Sequence, residues 1–282
     1  MKWTKASVVP VRVSSTDEVS DLVRRDGAAI LSGVPDERTA LSLGLRSLGT
    51  KGVRIGRQIE ATQRNEMVQA RAVAEQPADD KGRKRAFTLA TERMPPHNDG
   101  YAFGDFAPDH LFLWCERPAA VGGDSFLIDT SRLLDLFAAD PDNADMIPFC
   151  WNVAVDHSEP NYPQDRLQPL VRLTPRGRFQ GRYHPYLSAA DGPTRERDRT
   201  FVRRWEHAVL STRDHGPMFR LEAGDMLCID NYRMLHGRDS HDDPRRRLCA
   251  IWGWSTDAVR LPDGSLDIND PWAGAAPSTG AR

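Results

Sequence analysis

Apolar and polar positions in the first fifty residues predict a strand–helix–strand–helix order. The run VVPVRV (8–13) predicts a short strand, and STDEVSDLVRR (15–25) predicts a helix opened by a Ser–Thr cap with acidic residues close behind. After a glycine, AAILSG (28–33) predicts a second strand. A further helix is expected over residues 36–48. The N-terminal part of the chain is therefore partly helical.

From residue 95 onward, short apolar runs between turn signals predict a series of strands. These runs are HLFLWC (110–115), SFLIDT (125–130), CWNVAV (150–155), PLVRLT (169–174), MFRLEAGDMLCID (218–230) and RRLCAIWGW (246–254). One helix, over residues 197–213, interrupts the series. The pattern predicts a mainly β fold with flanking helices (α+β) around a double-stranded β-helix, or jelly-roll, core. No linker divides the chain, so we expect residues 1–282 to form one domain.

Two segments differ from this core in composition. Residues 57–86 are polar and charged with few apolar anchors, and we expect them to form a mobile lid. Residues 273–282, rich in glycine and alanine, are expected to form a disordered tail.

Composition and charge exclude several classes of function. A formal net charge of -2 at pH 7 gives no electrostatic footprint for nucleic acid or anionic lipid. No apolar run reaches the roughly 18 residues of a membrane span, and the first residues lack the pattern of a secretory signal. Four scattered cysteines predict reduced thiols rather than a disulfide framework. We therefore expect a cytoplasmic protein that acts on a small-molecule substrate, and leave homo-oligomerisation open.

Three His-x-Asp/Glu patterns are candidates for a metal site. Residues i and i+2 of a strand share a face, so this pattern directs an imidazole and a carboxylate to one point. With 8 histidines and 40 acidic residues in 282, about one such pair is expected by chance. The three pairs are His97 with Asp99, His157 with Glu159, and His241 with Asp243.

Local context separates these pairs. The third lies in a charged turn beside Pro244, which predicts a solvated loop. The second runs directly into Pro160, which predicts a surface loop. The first follows two prolines and precedes Gly100, a context that leaves a metal site and a structural role equally open.

Other features, in a fixed order, support the first pair. Two glycines precede the polar pair that ends in Ser125, and much later His236 is followed by Gly237. The arginine cluster 245–247 opens the next strand. A distant histidine would complete a two-His-one-carboxylate set for Fe(II), and a planar guanidinium beside it suits a carboxylate ligand.

Residues 95–129 and 224–254 resemble the two signature regions of the Fe(II)/2-oxoglutarate dioxygenases of the taurine dioxygenase (TauD/TfdA) family. The segment DNYRMLHGR is similar to the gamma-butyrobetaine hydroxylase branch. The resemblance implies that the catalytic iron ligands are His97, Asp99 and His236.

The resemblance also implies a binding site for 2-oxoglutarate. Ser125 and an arginine would bind its distal carboxylate. The family pattern Arg-x-Leu selects Arg246, whereas the spacing from His236 selects Arg247. Because neighbouring residues on a strand face opposite ways, only one can serve, and we favour Arg246.

The activity implied by the resemblance uses Fe(II), 2-oxoglutarate and O₂. Oxidative decarboxylation of 2-oxoglutarate to succinate and CO₂ would be coupled to oxidation of a substrate C–H bond, most often hydroxylation. Ala250 stands where some members carry an arginine for anionic substrates. Arg182 and Tyr183, within GRYHPY, and Trp252 are the candidates for substrate contacts.

Two other classes of function remain open. A zinc-dependent hydrolase would use the same three ligands with an activated water, although no separate general base is marked. A non-catalytic jelly-roll protein would bind a small ligand, but would need neither a metal triad nor an arginine clamp.

Overall fold

A computed structural model of the chain describes residues 2–48, 52–59, 93–158, 167–243 and 245–261. The α-helices in these ranges are α1 (Thr16–Asp26), α2 (Glu37–Ser47), α3 (Thr130–Ala138), α4 (Met146–Asn152) and α5 (Arg195–His215). The strands are β1 (Val11–Val13), β2 (Ala28–Leu31), β3 (Gly52–Ile59), β4 (Met94–His97), β5 (His110–Arg117), β6 (Ser125–Asp129), β7 (Ala154–Asp156), β8 (Leu167–Pro169), β9 (Val171–Leu173), β10 (Phe179–Gly181), β11 (Ser188–Ala189), β12 (Met226–Asp230), β13 (Met234–Arg238) and β14 (Arg247–Ser255). Short 3-10 helices span Lys2–Ala6, Tyr101–Phe106 and Pro141–Asn143.

The larger sheet has six strands in the order β1-β2-β12-β5-β14-β3. β1 and β2 are parallel, and the other neighbours are antiparallel. Along β14, even-numbered residues from Leu248 to Trp254 join one apolar cluster, whereas Cys249 and Ile251 join another. This period of two shows that the sheet is covered on both faces.

A second sheet, in the order β4-β13-β6, carries His97 at the end of β4 and the distant histidine on β13. Its strands are antiparallel, and the register sets His236 of β13 opposite His97 of β4 and Leu127 of β6. Two smaller sheets, β11-β7-β8 and β10-β9, complete the β structure of the described residues.

The helices cover the outside of these sheets. α1 begins at the side chain of Ser15, which accepts the N–H of Asp17, and ends at Gly27 in the left-handed conformation (φ 87°). α5 buries Trp205 and Val209 in an apolar cluster shared with α3 and α4. The predicted mixture of strands and helices is confirmed.

Two predicted strands are wrong in part. The first half of CWNVAV ends α4, and β7 begins only at Ala154. Met146, Phe149 and Cys150 are buried at helical spacing, so the apolar run belongs to a helix face. The predicted strand 218–230 is a strand only over Met226–Asp230, because Gly224 (φ 84°) turns the chain just before it.

The expected lid and tail fall mainly outside the described residues. Residues 57–59 are the end of β3, whereas residues 60–86 and 273–282 are not described. Among the described residues, no helix combines the length and apolar character needed to cross a lipid bilayer.

Candidate active site

A strand pair and the turn after it bring three distant side chains together. His97 ends β4 opposite His236, and Asp99 follows just before Gly100, which turns the chain in the left-handed conformation (φ 67°). One ligand atom from each of these side chains lies within 4.8 Å of the others. No second group of this kind occurs in the part of the chain that the structure describes. We call these three residues the triad.

The distances within the triad fit a single metal ion. Asp99 Oδ1 is 3.3 Å from His97 Nε2 and 3.4 Å from His236 Nε2. Two ligand atoms at right angles, each about 2.1 Å from one ion, are about 3 Å apart. Both histidines are buried, so the arrangement holds its ion away from bulk water. Two imidazoles and one carboxylate would occupy one face of an octahedral ferrous ion and leave the opposite face open.

The histidines are prepared to bind a metal in their neutral form. His97 Nδ1 is 2.9 Å from the carbonyl oxygen of Pro95. Because a carbonyl only accepts, Nδ1 carries the proton and Nε2 keeps its lone pair for the ion. Burial, together with the neighbouring His97, lowers the pKa of His236 against the opposing effect of Asp99. The Nε2 atoms of both rings point to Asp99 Oδ1, the place where a bound ion would take their lone pairs.

Asp99 is held as an oriented carboxylate. Trp252 Nε1 donates to Asp99 Oδ2 at 2.8 Å, which leaves Oδ1 towards the histidines. Burial acts to raise the pKa of Asp99, but the hydrogen bonds and charges of His236 and His97 outweigh it, so the pKa is lowered. The sequence suggested Trp252 as a pocket wall; it missed the hydrogen bond from its indole to the carboxylate.

Two asparagines fix the backbone around Asp99. Asn231 Oδ1 accepts the Asp99 N–H at 2.9 Å, and Asn231 Nδ2 donates to the Asp99 carbonyl at 2.9 Å. Asn98 Nδ2 donates to the carbonyls of Asn231 (2.8 Å) and Met234 (3.1 Å). Sequence reasoning missed both asparagines, although each lies inside a recognised motif, HND or DNYR. They join the turn after β4 to the turn before β13.

One buried arginine lies against Gly123, two residues before the predicted oxoglutarate serine. Ser125 opens β6 and is buried, as is Arg246. A Cβ added at Gly123 would stand 3.3 Å from Arg246 Nε, so the glycine makes room for the arginine stem. The Arg247 side chain is 68% exposed and donates to Glu116 (Nε–Oε2 3.0 Å). Of the two candidates, Arg246 is the one that faces the interior.

This geometry has a match among known families. The family model described as "Taurine catabolism dioxygenase TauD, TfdA family" matches residues 6–252. The chain belongs to the TauD/TfdA family. It is therefore an oxidoreductase of the non-haem iron, 2-oxoglutarate-dependent type, with Fe(II) as cofactor and 2-oxoglutarate as co-substrate. No curated protein matches the chain in sequence.

Solved structures of other oxygenases share the fold of this TauD/TfdA protein. AAD-2, in complex with Mn(II) and N-oxalylglycine, has a TM-score of 0.59 at 13% identity, covering 87% of this chain and 93% of its own. Asparagine oxygenase, in complex with Fe(II), 2S,3S-3-hydroxyasparagine and succinate, has a TM-score of 0.55 at 17% identity, covering 86% and 79%. The non-heme iron oxygenase OrfP, in complex with Fe, succinate and (3R,4R)-dihydroxy-L-Arg, has a TM-score of 0.53 at 16% identity, covering 86% and 79%.

The two rejected His-x-Asp/Glu pairs are less exposed than the sequence predicted. The expectation of a surface loop at His157 is wrong, because the residue follows β7 into the interior and its side chain is buried. Its partner Glu159 lies outside the described residues. Asp243 is also buried rather than solvated, because it accepts hydrogen bonds from the N–H groups of Ala120 and Arg245. That turn is anchored to the loop before β6.

The structure separates the three candidates for substrate contacts in this TauD/TfdA chain. Trp252 reaches the triad, as described above. Arg182 is buried and donates to Gln180 Oε1 at 3.0 Å. Tyr183 packs in the apolar cluster beneath α5, where its hydroxyl donates to Glu206 at 3.4 Å. The Tyr183 hydroxyl is therefore directed to the helix, and not to the triad.

Proposed function

We propose that this protein couples the oxidative decarboxylation of 2-oxoglutarate, to succinate and CO₂, to oxidation of a C–H bond in a small molecule. Hydroxylation is the expected outcome, and an amino acid, an amine or a natural-product intermediate is the expected substrate. The observation that carries the proposal is the buried triad, whose ligand atoms are already oriented by Pro95 and Trp252. Hydroxylated amino acids in two related structures support this substrate range.

The roles of the triad follow from its geometry. His97 Nε2, Asp99 Oδ1 and His236 Nε2 would hold the iron, which when bound supplies the one-electron chemistry that activates O₂. The hydrogen bond from Trp252 keeps Asp99 from rotating, so Oδ1 would be held towards a bound ion. Burial of the histidines limits the access of water, which protects the reaction from unproductive side steps.

Arg246 and Ser125 are the residues proposed to bind 2-oxoglutarate. A guanidinium fork and a hydroxyl together satisfy both oxygens of the distal carboxylate. Burial of Arg246 beside Gly123 supports this role, and exposure of Arg247 argues against that residue. A buried carboxylate clamp also favours the oxygenase over a zinc hydrolase or a non-catalytic binding protein, neither of which requires it.

The decisive experiment measures metal binding and succinate formation in wild type and His236→Ala. Fe(II) and 2-oxoglutarate, mixed with the wild type without oxygen, should give a weak charge-transfer absorption band, and oxygen should then yield succinate. His236→Ala should lose the band and the succinate while its circular dichroism is unchanged. We expect its metal affinity to fall by more than the roughly 100-fold cost of losing a group that only supports a ligand.

His207→Ala is the matched control, because His207 is exposed on α5. This control should behave as the wild type. A wild type without the band, or a His236→Ala variant that keeps it, would refute the proposed function.

We further propose that the two larger sheets form a double-stranded β-helix in a single domain. His97 on β4 and His236 on β13, with Trp252 contributed to Asp99 by the other sheet, support this arrangement. The segment DNYRMLHGR supports a place near the gamma-butyrobetaine hydroxylase branch. Four free, buried cysteines support a cytoplasmic location. Homo-oligomerisation stays a prediction.

A further inference from the structure

A second group of polar side chains is buried next to the triad. Its five members come from three segments of the chain and are at most 8% exposed. They are Tyr101 (8%), His157 (0%), Arg182 (4%), His184 (0%) and Tyr186 (1%). We call them the Arg182 cluster. Five side chains with polar groups thus lie together in the interior, where polar groups are held by partners.

Two sets of contacts connect the Arg182 cluster to the triad. Tyr101 follows Asp99 by two residues, and its ring stacks on His184 with centroids 3.9 Å apart and planes within 3°. The Asn98 N–H donates to the Tyr183 carbonyl at 3.3 Å, and Asn98 Oδ1 accepts the Tyr183 N–H at 3.2 Å. The backbone that carries Arg182 and His184 therefore runs directly beside the backbone that carries the metal ligands.

His157 provides neutral hydrogen-bonding capacity inside the cluster. Its ring centroid is 5.4 Å from that of His184. Among the described residues, no hydrogen bond of ordinary geometry reaches its ring nitrogens, although the backbones of Gln168 and Pro169 lie close enough to act on its pKa. Burial, and secondarily the charge of Arg182, lowers the pKa of His157 to about 3, so the ring offers one donor and one acceptor.

Arg182 provides a fixed positive charge. A guanidinium stays protonated in proteins, and its planar fork matches a carboxylate. Arg182 Nη2 and Arg172 Nε share one acceptor, Gln180 Oε1, at 3.0 Å and 2.6 Å. The charge of Asp156 acts to raise the pKa of His157, against the effect of Arg182. The Asp156 carboxylate also accepts the N–H of Ser158 at 2.8 Å.

We infer that the Arg182 cluster binds the carboxylate of the small-molecule substrate, an inference that rests on the proposed function. Arg182 supplies the charge, His157 supplies a hydrogen bond, and the stacked Tyr101–His184 pair supplies a flat apolar wall. Ala250 supplies no charge on β14, whereas Arg182, which follows β10, is a buried cation.

The test is a binding measurement that needs no turnover. Protein loaded with Mn(II) and N-oxalylglycine is titrated calorimetrically with a panel of L-amino acids and other small carboxylic acids, each paired with its primary amide. At least one acid should bind more than about tenfold more tightly than its amide, as expected for a charge-assisted contact. If no acid outbinds its amide, the inference is overturned.

Three variants test which residues cause the preference for the acid over its amide. Arg182→Gln should abolish the preference for the acid, and His157→Phe should weaken binding of the acid about tenfold. Arg172→Gln is the matched control, because it releases the same Gln180 oxygen but should keep the preference. An unchanged preference in Arg182→Gln, or an equal loss in Arg172→Gln, overturns the inference. Should Arg182→Gln fail to fold by circular dichroism, His157→Phe decides alone, and wild-type affinity in that variant overturns it.

The outcomes separate this inference from the proposed function. If the protein forms succinate, and Arg182→Gln still binds the acid more tightly than its amide, the carboxylate subsite is overturned and the proposed oxygenase function stands. An acid preference lost in Arg182→Gln, in a protein that forms no succinate with Fe(II), would overturn the oxygenase and keep the subsite. Competition between N-oxalylglycine and the acid for Arg182 would overturn the subsite, because the arginine would then bind the co-substrate.

Discussion

Replacing Trp252 with phenylalanine should weaken metal binding while leaving the fold intact. The indole Nε1 donates to Asp99 Oδ2 at 2.8 Å, whereas the opposite oxygen, Oδ1, is the one within 3.4 Å of both histidines. Phenylalanine keeps most of the apolar ring and removes only this donor. The substitution therefore tests whether the hydrogen bond, rather than the bulk of the side chain, orients the carboxylate ligand.

The size of the effect follows from the kind of bond that is lost. A hydrogen bond to a charged group contributes about 1.5–3 kcal/mol, and about 1.4 kcal/mol corresponds to a tenfold change in affinity. The dissociation constant for the metal should thus rise about 10- to 100-fold, the range typical of groups that support a metal ligand. We expect no comparable loss of metal affinity from the smaller ring itself.

The assay is an anaerobic titration of metal-free protein with Fe(II), with Mn(II) as a second ion. Trp254→Phe is the matched control, since Trp254 is equally buried but donates to the carbonyl of Phe106 at 3.1 Å. The control should bind metal as the wild type does. Wild-type affinity in Trp252→Phe, or the same loss in Trp254→Phe, would refute the role of this hydrogen bond.

Three further outcomes are expected. Arg246→Gln should raise the 2-oxoglutarate concentration for half-maximal succinate formation about 10- to 100-fold. Arg247→Gln should not, because the Arg247 side chain is exposed. Equal effects of the two substitutions would contradict the assignment of Arg246 to 2-oxoglutarate. Gly237→Ala should lower the free energy of unfolding in urea by about 1–3 kcal/mol, because its new Cβ would overlap the Phe126 ring; unchanged stability would exclude this overlap. Burial acts to raise the pKa of Asp109, but neighbouring charges and hydrogen bonds outweigh it and lower the pKa below 3.8. The contribution of Asp109 to stability is therefore present above that pH and lost as the pH falls further. Asp109→Asn should lower the melting temperature at pH 7 and make the melting temperature depend less on pH towards pH 3; an unchanged pH dependence would contradict this reasoning.

The chemistry-bearing part of the site was accessible from the sequence because its signals are local. His97 and Asp99 lie within three consecutive residues, and the His-x-Asp pattern marked them as a candidate metal pair, although Asp99 lies in the turn after β4 rather than on the strand. The family pattern Arg-x-Leu favoured Arg246 over Arg247, and strand alternation required only that one of the two serve. The period-two pattern of β14 and the apolar stripe of α5 predicted strand and helix for the same reason, since each is a property of consecutive residues.

The supporting part of the site was not accessible, because its signals are distant in the chain. The bond from Trp252 to Asp99 joins residues separated by 153 positions, and the bonds from Asn231 to Asp99 span 132. No local pattern distinguishes a tryptophan that packs in a core from one that also donates to a ligand. His157 was misplaced for a related reason, because a following proline marks a turn but does not show which side of the sheet the turn lies on.

These long-range contacts position the triad within the fold. Pro95 holds His97 at 2.9 Å, Trp252 holds the outer oxygen of Asp99, and Asn231 holds the backbone on both sides of the Asp99 peptide. Each of these contacts is made by a protein group and acts on a ligand side chain or on the backbone beside it, so the loss of any one of them should disturb metal binding. The orientation of the triad is therefore determined by the pairing of β4 with β13 and by the position of β14 beside them.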